Sequence, residues 1–415
     1  MSAADAGGYT QAASGIVIIG AGHAGVECAY ALRTAGYALP ITLISAESCE
    51  PYQRPPLSKG FLSGAMDAKR LALRSPQAYE KQDIQVIIGD PVLGLDSKRN
   101  SVITASGRHI QYDHCVVATG AQARTLPKLQ GANVYSLRNL DDALTLQSKL
   151  TSACRLLVVG GGYLGLEVAA TAVKLGSSVI VFEQSPVLMS GKVSQHTSSA
   201  FQSMHDQAGI RLMRDASIDR WESLLNGGWK AHLSDGSTHE GDVVLVSVGA
   251  VPDIKLAVEA GVACDGGILV DEHFRTSVPN IFAIGDCASG YRPELACNAR
   301  VESVQNALDS ARAAAAAIVG QPPAAKRPAT FWSEQHGRRL QIAGMINPAQ
   351  EVRDFVTATA NGWLVERYQQ DSLVAIEALD SPVEFVKTMK LIGSVKAPLG
   401  STSPTHHQET TNAHS

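Results

Sequence analysis

The stretch Gly15-Ile-Val-Ile-Ile-Gly20-Ala-Gly22-His-Ala-Gly25 joins an apolar run to a glycine-rich turn. The same pattern returns as Leu156-Leu-Val-Val-Gly160-Gly-Gly162-Tyr-Leu-Gly165. Each apolar run predicts a buried parallel strand, and the Ala- and Leu-rich segment after it predicts a helix. In such a turn the first glycine makes the tight bend, the second lets a pyrophosphate approach, and the third lets the helix pack against the strand. Two copies predict two dinucleotide sites in one chain, most simply a flavin that stays bound and a nicotinamide that is exchanged.

Length and composition fit this interpretation. A chain of 415 residues predicts two or three domains, and 45% apolar residues with 37 glycines suit an α/β fold. The formal charge of −4 argues against a nucleic-acid binder, and no apolar run reaches the ~18–20 residues that span a bilayer. Residues 1–14 lack the pattern of a signal peptide, and the seven scattered cysteines form no metal-ligand spacing. We therefore expect a cytoplasmic protein with reduced thiols, no metal, and no nucleic-acid or membrane partner.

The order of predicted elements outlines the domains. Each half contains a second strand, near residues 41–44 and 178–182, and later a strand that ends in a small-residue turn, at Gly120 and at Gly249. The sequence also predicts a hairpin formed by residues 102–104 and 109–112, a buried strand over 114–120, a long helix over 300–319, a linker over 321–328 and a helix near 382–391. The fold class is therefore α/β, with two Rossmann-like dinucleotide-binding domains and a smaller α+β C-terminal domain. The expected boundaries are a disordered N-terminus over 1–14, a discontinuous first domain over 15–123 and 248–326, a second domain over 124–247, a C-terminal domain over 327–399 and a disordered tail over 400–415.

An acidic residue follows the second strand of each unit. Glu47 comes shortly after the first of these strands, and Glu183 directly follows the second. A carboxylate at this place can bind both ribose hydroxyls and repels a 2′-phosphate. No arginine closely follows Glu183, which favours NADH over NADPH. In the first unit Glu50 competes with Glu47 for the same role.

The segment Tyr52-Gln-Arg54-Pro55-Pro56-Leu-Ser-Lys59 predicts a stiff turn, because two prolines fix the backbone angle φ. A lysine held by such a turn can place a cation beside the N5/O4 edge of a flavin, where negative charge develops on reduction. Taken alone, the segment is more typical of a surface turn with an exposed lysine.

Six motifs, taken in order, resemble those of the FAD-dependent ferredoxin reductase family. They lie at residues 20–25, 54–59, 118–120, 160–167, 285–286 and 300–304. This family supplies the reductase components of bacterial aromatic-ring dioxygenases and camphor-type P450 systems. Rubredoxin reductases, monodehydroascorbate reductases and apoptosis-inducing factor are wider relatives. The resemblance covers residues 14–395 and implies a glutathione-reductase-like fold whose first domain binds FAD and whose second domain binds NADH.

The resemblance also implies roles for individual residues. Lys59 would lie near flavin N5 and Glu167 would pair with it, which makes these two the candidate catalytic residues. The other FAD-binding residues would be Gly20, Gly22, Gly25, Glu47, Arg54, Val92, Ala118, Thr119, Gly120, Arg138, Gly285, Asp286, Glu302, Val304 and Trp332. The NADH-binding residues would be Gly160, Gly162, Tyr163, Leu164, Gly165, Glu167, Glu183 and Gly249.

Some flavoproteins of the wider fold also need a redox-active thiol near the flavin, and Cys49 is the one candidate here. In that branch the cysteine of a Cys-Gly-Leu-Pro-Tyr segment lies three residues before the proline. This chain has Ser48 at that position, so Cys49 is one residue out of place. We interpret Cys49 as a structural or incidental residue.

The expected function is the transfer of electrons from NADH through FAD to a [2Fe–2S] ferredoxin, for an aromatic-ring-hydroxylating dioxygenase. Such ferredoxins are usually acidic, so a local basic patch is expected, with Arg338 and Arg339 as its candidates. The alternatives are a rubredoxin reductase, a monodehydroascorbate-type reductase, or a redox sensor similar to apoptosis-inducing factor. The last would be expected to carry a targeting segment and a basic nucleic-acid surface, and the sequence displays neither.

Glu183→Ala should narrow the preference for NADH over NADPH, because the carboxylate that would face the 2′-phosphate is removed. The ratio of kcat/KM values should change by about tenfold for each 1.4 kcal/mol of repulsion removed. Steady-state kinetics with both nucleotides measures this ratio. An unchanged ratio would show that Glu183 does not face the ribose.

Overall fold

The computed structural model describes residues 14–322 and 324–395, so the predicted disordered termini lie outside the described residues apart from Ser14. The first part of the chain contains β1 (Gly15–Ile19), α1 (His23–Thr34), β2 (Ile41–Ile44), α2 (Pro76–Lys81), β3 (Ile84–Ile87), β4 (Val92–Asp96), β5 (Ser101–Thr104), β6 (His109–Val117) and β7 (Ala121–Ala123). Two short 3-10 helices, Pro55–Ser58 and Ala68–Leu71, lie between β2 and α2.

The first sheet has the order β3-β2-β1-β6-β5-β4. Strands β3, β2, β1 and β6 run parallel, and β1 is buried along its whole length, as its continuous apolar sequence predicts. The sequence predicted two separate elements at residues 109–112 and 114–120, but β6 is one continuous strand. Its first half pairs antiparallel with β5 and its second half pairs with β1, and the register shifts at Asp113 where the partner changes.

The second part repeats this plan. It contains β8 (Val134–Tyr135), α3 (Leu140–Lys149), β9 (Arg155–Val159), α4 (Tyr163–Lys174), β10 (Ser178–Phe182), α5 (Gln195–Gln207), β11 (Arg211–Met213), β12 (Ile218–Ser223), β13 (Trp229–Leu233), β14 (Thr238–Gly241) and β15 (Val243–Val246). A parallel sheet has the order β11-β10-β9-β15-β8, and β12, β13 and β14 form a separate antiparallel sheet.

The rest of the described chain first returns to the first sheet and then forms a new one. Its elements are β16 (Ala250–Pro252), α6 (Lys255–Glu259), β17 (Ile268–Val270), β18 (Ile281–Ala283), β19 (Ala288–Arg292), β20 (Cys297–Ala299), α7 (Val304–Ile318), β21 (Thr330–Gln335), β22 (Arg338–Gly344), β23 (Arg353–Ala358), β24 (Trp363–Gln369), β25 (Ser372–Leu379) and α8 (Pro382–Met389). Strand β18 pairs with β6, α7 packs on α1, and β16 pairs with β7. The antiparallel sheet β21-β22-β25-β24-β23, with α8 against it, forms the C-terminal part, so the predicted fold class is confirmed.

None of the helices within 14–322 and 324–395 is long and apolar enough to cross a membrane.

The glycines of the two turns are required by close backbone contacts. A Cβ added at Gly25 would lie 1.9 Å from the carbonyl oxygen of Gly20, and one at Gly165 would lie 2.3 Å from that of Gly160. These distances are far below van der Waals contact, so each helix packs on its turn only because the third glycine lacks a side chain. Gly22 differs, since an added Cβ there would meet no atom within 4 Å.

Gly25→Ala should therefore destabilise the protein by about 1–3 kcal/mol or prevent folding, because α1 must move away from the turn. Gly22→Ala is the matched control, and its apoprotein should unfold within about 1 kcal/mol of wild type. Urea unfolding of the FAD-free proteins, followed by circular dichroism, measures both. Equal stability of the two variants would contradict the packing role of Gly25.

Candidate functional site

We call the part of the chain from β1 to β7 the first unit and the part from β8 to β15 the second unit. One cavity of about 1140 Å³ lies where these two units and the C-terminal sheet meet. It is larger than the ~300–1,000 Å³ of common small-molecule pockets, as an elongated dinucleotide requires. The sequence-predicted residues that line it are Gly20, Gly22, Glu47, Arg54, Lys59, Val92, Ala118, Thr119, Gly120, Arg138, Gly162, Tyr163, Leu164, Glu167, Gly249, Gly285, Asp286, Glu302, Val304 and Trp332.

Four predicted residues do not line this cavity. Gly25, Gly160 and Gly165 lie in the close backbone contacts behind the two turns. Glu183 lies beside the second turn, where its carboxylate accepts hydrogen bonds from the backbone N–H of Gly161 at 2.7 Å and of Ser185 at 2.8 Å. Glu183, which was predicted to bind the ribose, thus stabilises the conformation of the second glycine turn.

A buried charged group of the cavity wall is Glu167 on α4. Lys59 Nζ lies 2.5 Å from Glu167 Oε2, which also accepts a hydrogen bond from Ser58 Oγ at 2.6 Å. The other carboxylate oxygen, Oε1, accepts one from Ser333 Oγ at 2.6 Å. The predicted pairing of Lys59 with Glu167 is therefore present. Neither serine was predicted, because a serine carries no distinguishing signal until the fold brings it to the carboxylate.

The lysine is held by its own turn. Pro55–Ser58 forms a 3-10 helix that begins with two prolines and ends at Lys59. Lys59 Nζ also donates to the backbone carbonyl of Pro55 at 3.1 Å and to Ser58 Oγ at 3.1 Å. The stiff turn predicted from the sequence thus directs the ammonium group back across the turn and into the cavity wall.

A second charged cluster lies at the other end of the same turn. Arg54 donates to Glu47 Oε1 at 2.6 Å, and the Tyr52 hydroxyl donates to Glu47 Oε2 at 2.5 Å. Glu50 is exposed and does not line the cavity. Of the two competing acids the structure therefore brings Glu47 to the site, with both oxygens already hydrogen-bonded.

Arg138 and Asp286, which are far apart in the sequence, form an ion pair at 3.0 Å. The Nε of Arg138 donates to the backbone carbonyl of Ala121 at 2.6 Å, which fixes the guanidinium. One oxygen of Asp286 is used by this pair, and the carboxylate remains part of the cavity wall.

Aromatic rings form a further wall of the cavity. Lys59 Nζ lies 4.9 Å from the centre of the Trp332 ring, and Arg339 Cζ lies 5.1 Å from it. Tyr163 packs against Phe331 with 4.5 Å between ring centres, and Lys192 Nζ lies 5.4 Å from the Tyr163 ring. Lys192 was not predicted, because it follows the second glycine turn by many residues and belongs to no recognised motif.

Cys49 lies away from this arrangement. It is a free cysteine, it does not line the cavity, and it packs against a hydrophobic core. Burial and the charge of Glu47 raise the pKa of its thiol, which disfavours the reactive thiolate.

Comparison with known proteins agrees with this geometry. Residues 14–311 match the model of the pyridine nucleotide-disulphide oxidoreductases, and residues 330–401 match the reductase C-terminal domain. Putidaredoxin reductase of Pseudomonas putida is 34% identical over 91% of this chain and 91% of its own length. Rubredoxin-NAD(+) reductase of Ectopseudomonas oleovorans is 34% identical over 92% of this chain and 99% of its own. The ferredoxin–NAD(+) reductase component of the p-cumate 2,3-dioxygenase system of Pseudomonas putida is 37% identical over 80% of this chain and 81% of its own.

The crystal structure of the covalent putidaredoxin reductase–putidaredoxin complex matches with a TM-score of 0.88 and 34% identity, over 92% of this chain and 94% of that one. The chain belongs to the pyridine nucleotide-disulphide oxidoreductases. Within them it is a ferredoxin reductase of the putidaredoxin reductase type, an enzyme whose cofactors are FAD and NADH.

The cavity fits these dinucleotides. Gly22 lines it at the start of α1 and has no atom within 4 Å of where a Cβ would lie, so a phosphate can approach the backbone. Gly162 has the same place at the start of α4, and the nearest atom to its added Cβ is Lys192 Nζ at 4.0 Å. Both helix N-termini thus meet the same large cavity, as two cofactors that react with each other require.

Cys49→Ser should leave NADH-dependent ferricyanide reduction within about twofold of wild type. The reason is geometric, since the thiol neither lines the cavity nor carries a lowered pKa. Steady-state assays with the variant and with a thiol-blocking reagent test this together. A loss of activity that follows the modification of Cys49 would contradict it.

Proposed function

We propose that this enzyme is an NADH:ferredoxin oxidoreductase that passes electrons through FAD to a [2Fe–2S] ferredoxin, and that it serves an aromatic-ring-hydroxylating dioxygenase. The observation that carries the proposal is the Lys59–Glu167 ion pair in a cavity that both glycine turns share. The likeness to the p-cumate dioxygenase reductase component supports the dioxygenase assignment. Rubredoxin is the second candidate acceptor, favoured by the likeness to rubredoxin reductases.

The proposed domains keep the boundaries predicted from the sequence. Residues 15–123 and 248–326 would form the FAD domain, 124–247 the NADH domain and 327–399 the C-terminal domain. The return of β18 to pair with β6 supports the discontinuous first domain. The antiparallel pairing of β7 with β16 lies where the chain leaves and re-enters it.

The proposed roles of the site residues are those that the family resemblance implies, and all of the residues named here except Glu183 line the cavity. Gly20 and Gly22 would hold the FAD pyrophosphate, Glu47 would bind the adenosine ribose, and Asp286 would accept hydrogen bonds from the ribityl chain. Tyr163 and Glu183 would lie beside NADH. Lys59 and Trp332 would contact the isoalloxazine ring.

FAD supplies the ability to accept a hydride from NADH and to release single electrons to an iron–sulfur centre. The chain supplies orientation and charge. Lys59 holds a cation at the place where negative charge develops, and a preorganised cation is most effective there because it needs no rearrangement during the reaction. Glu167 holds the ammonium in place and balances its charge while the pair is buried.

The direct test is NADH-driven reduction of cytochrome c through added acceptor proteins. With an acidic [2Fe–2S] ferredoxin the rate should exceed the ferredoxin-free rate by at least about tenfold, a difference of about 1.4 kcal/mol. A response to rubredoxin but not to any [2Fe–2S] ferredoxin would favour the second candidate. A protein that reduces neither acceptor would contradict the proposal.

Lys59→Met should slow flavin reduction by about a hundredfold or more at saturating NADH, since removal of one preorganised donor costs about 3 kcal/mol. FAD binding should change much less. Stopped-flow absorbance of the flavin measures the rate. Lys69→Met removes an exposed lysine from the neighbouring 3-10 helix and should behave like wild type. If flavin reduction in Lys59→Met is within twofold of the wild-type rate, Lys59 contributes to the turn but not to the reaction.

Arg338 and Arg339 remain the proposed docking cations. Arg338 pairs with Asp380 yet keeps 40% of its side chain exposed, and Arg339 is exposed above Trp332. Both lie on β22, next to the strand that carries Trp332. Arg339 would therefore offer positive charge beside the Trp332 wall of the cavity, and Arg338 would add to it from the neighbouring position of the same strand.

The double variant Arg338→Gln with Arg339→Gln should raise the KM for ferredoxin and flatten its dependence on salt, because screening over about 8–10 Å removes long-range attraction. Ferricyanide reduction should change little. Arg353→Gln, on the opposite edge strand of the same sheet, is the control. An unchanged ferredoxin KM across the salt range would mean that the docking surface lies elsewhere.

A further inference from the structure

A buried hydrogen-bond chain continues from Glu167 away from the cavity. Ser333 Oγ, which bonds Glu167, lies 3.1 Å from Gln335 Nε2. Gln335 Oε1 lies 2.8 Å from His205 Nε2, and His205 Nδ1 lies 3.0 Å from His336 Nε2. Ser333, Gln335 and His205 are all 1% exposed or less, whereas His336 is half-buried. This hydrogen-bond chain thus runs from the Lys59–Glu167 ion pair to His336, which is close to the surface.

The chemistry of the groups fixes the direction of every bond. Ser333 has one hydroxyl proton and gives it to the Glu167 carboxylate, so Gln335 must donate to Ser333 through Nε2. Gln335 Oε1 therefore accepts, and His205 carries its proton on Nε2. Burial lowers the pKa of His205 to about 4, so the ring is neutral and its Nδ1 accepts a hydrogen bond from His336 Nε2. All four donors point toward Glu167.

The origin of these residues explains the alignment. Ser333 and Gln335 lie two positions apart on β21, so their side chains share one face of the strand. His205 comes from the last turn of α5 in the second unit. His336 lies in the turn that joins β21 to β22, with a backbone φ of +51°. The chain therefore depends on the contact between the second unit and the C-terminal sheet.

We propose that His205 and His336 are positioning residues for the proposed electron transfer, and that they act through Gln335 and Ser333 to keep the Glu167 carboxylate hydrogen-bonded and directed at Lys59. This inference rests on the proposed role of the Lys59–Glu167 pair. Hydrogen bonds in a chain polarise one another, so a donor aimed at a buried carboxylate is strengthened by the donors behind it. Because Ser333 bonds Oε1, the other oxygen of Glu167, Oε2, stays directed at Lys59 and holds the ammonium group at the cavity wall.

Two variants at one position separate this role from simple packing. His205→Gln keeps an amide N–H for Gln335 and a carbonyl oxygen for His336, whereas His205→Met fills similar space with no strong donor or acceptor. His196→Met is the control. It makes the same substitution on the same helix, at an exposed histidine that packs on Trp363 and does not belong to the hydrogen-bond chain. All three are studied as FAD-loaded proteins, with thermal unfolding as the check on folding.

His205→Met should slow flavin reduction at saturating NADH by about fivefold and leave the Kd for NADH within twofold of wild type. The flavin midpoint potential should become more negative by up to about 20 mV, since about 30 mV corresponds to a tenfold change for a two-electron couple. His205→Gln should restore the rate and the potential, and His196→Met should match wild type.

Nitrogen-15 NMR of the histidine rings gives a readout that does not depend on turnover. In the wild type, the His205 signal should be that of a neutral ring protonated on Nε2 from pH 5.5 to 8, and it is assigned by its disappearance in His205→Met. If His205→Met folds with the rate and potential of the wild type, or if His205→Gln behaves like His205→Met, the positioning role is wrong. If His205→Met fails to fold, His336→Phe, which removes the outermost donor, should give the same direction of change, and a wild-type potential there would overturn the inference. The Lys59→Met variant separates failure of this inference from failure of the proposed function. If Lys59→Met slows flavin reduction but His205→Met does not, only the positioning role is wrong. If Lys59→Met also leaves flavin reduction unchanged, the proposed role of the ion pair is wrong as well.

Discussion

A buried carboxylate must be paired, and this requirement at Glu167 fixes the arrangement of the three parts of the protein. The side chain is about 6% exposed and accepts hydrogen bonds from Lys59 and Ser58 of the first unit and from Ser333 of the C-terminal sheet, while it belongs itself to the second unit. Removing one partner from a buried ion pair typically costs about 3–5 kcal/mol, because the remaining charge stays buried. Any movement of one part against the others must therefore break bonds to Glu167. Glu167 thus joins all three parts of the protein at the cavity wall.

Helix α5 of the second unit is held against the C-terminal sheet at both of its ends. At its N-terminal end Glu377 of the C-terminal sheet accepts hydrogen bonds from the backbone N–H and hydroxyl of Ser194, and it pairs with Arg367 at 2.9 Å. At its C-terminal end His205 bonds Gln335 of the same sheet. A carboxylate at a helix N-terminus is also stabilised by the helix dipole. Because both ends of α5 are held, His205 keeps its distance from Gln335, and the hydrogen-bond chain to Glu167 stays intact.

The sequence predicted what is local and missed what depends on long-range packing. The glycine turns, their strands and helices, and the Pro-Pro turn before Lys59 were predicted correctly because neighbouring residues determine them. Strand β6 was predicted as two pieces, since its change of partner at Asp113 is a property of the sheet and not of the sequence. Ser58, Ser333 and Lys192 reach the site through contacts between distant segments, and their residue types carry no signal. The resemblance to a family supplied Glu167 and Trp332, which periodicity alone assigns to an ordinary helix and strand.

The cations of the site belong to two different electrostatic environments, although the chain carries a formal charge of −4. Lys59 and Arg339 contact the same indole ring of Trp332, at 4.9 Å and 5.1 Å from its centre. The negative face of an aromatic ring attracts a cation by about 0.5–2 kcal/mol, so Trp332 can hold both charges close to the cavity. Lys59 has only 16% of its side chain exposed and pairs with Glu167, so dissolved ions screen it less, whereas Arg339 is exposed and its field weakens with salt. Trp332 thus contacts both the cation that is proposed to serve the cofactor and the cation that is proposed to meet a protein partner, and salt should affect only the second.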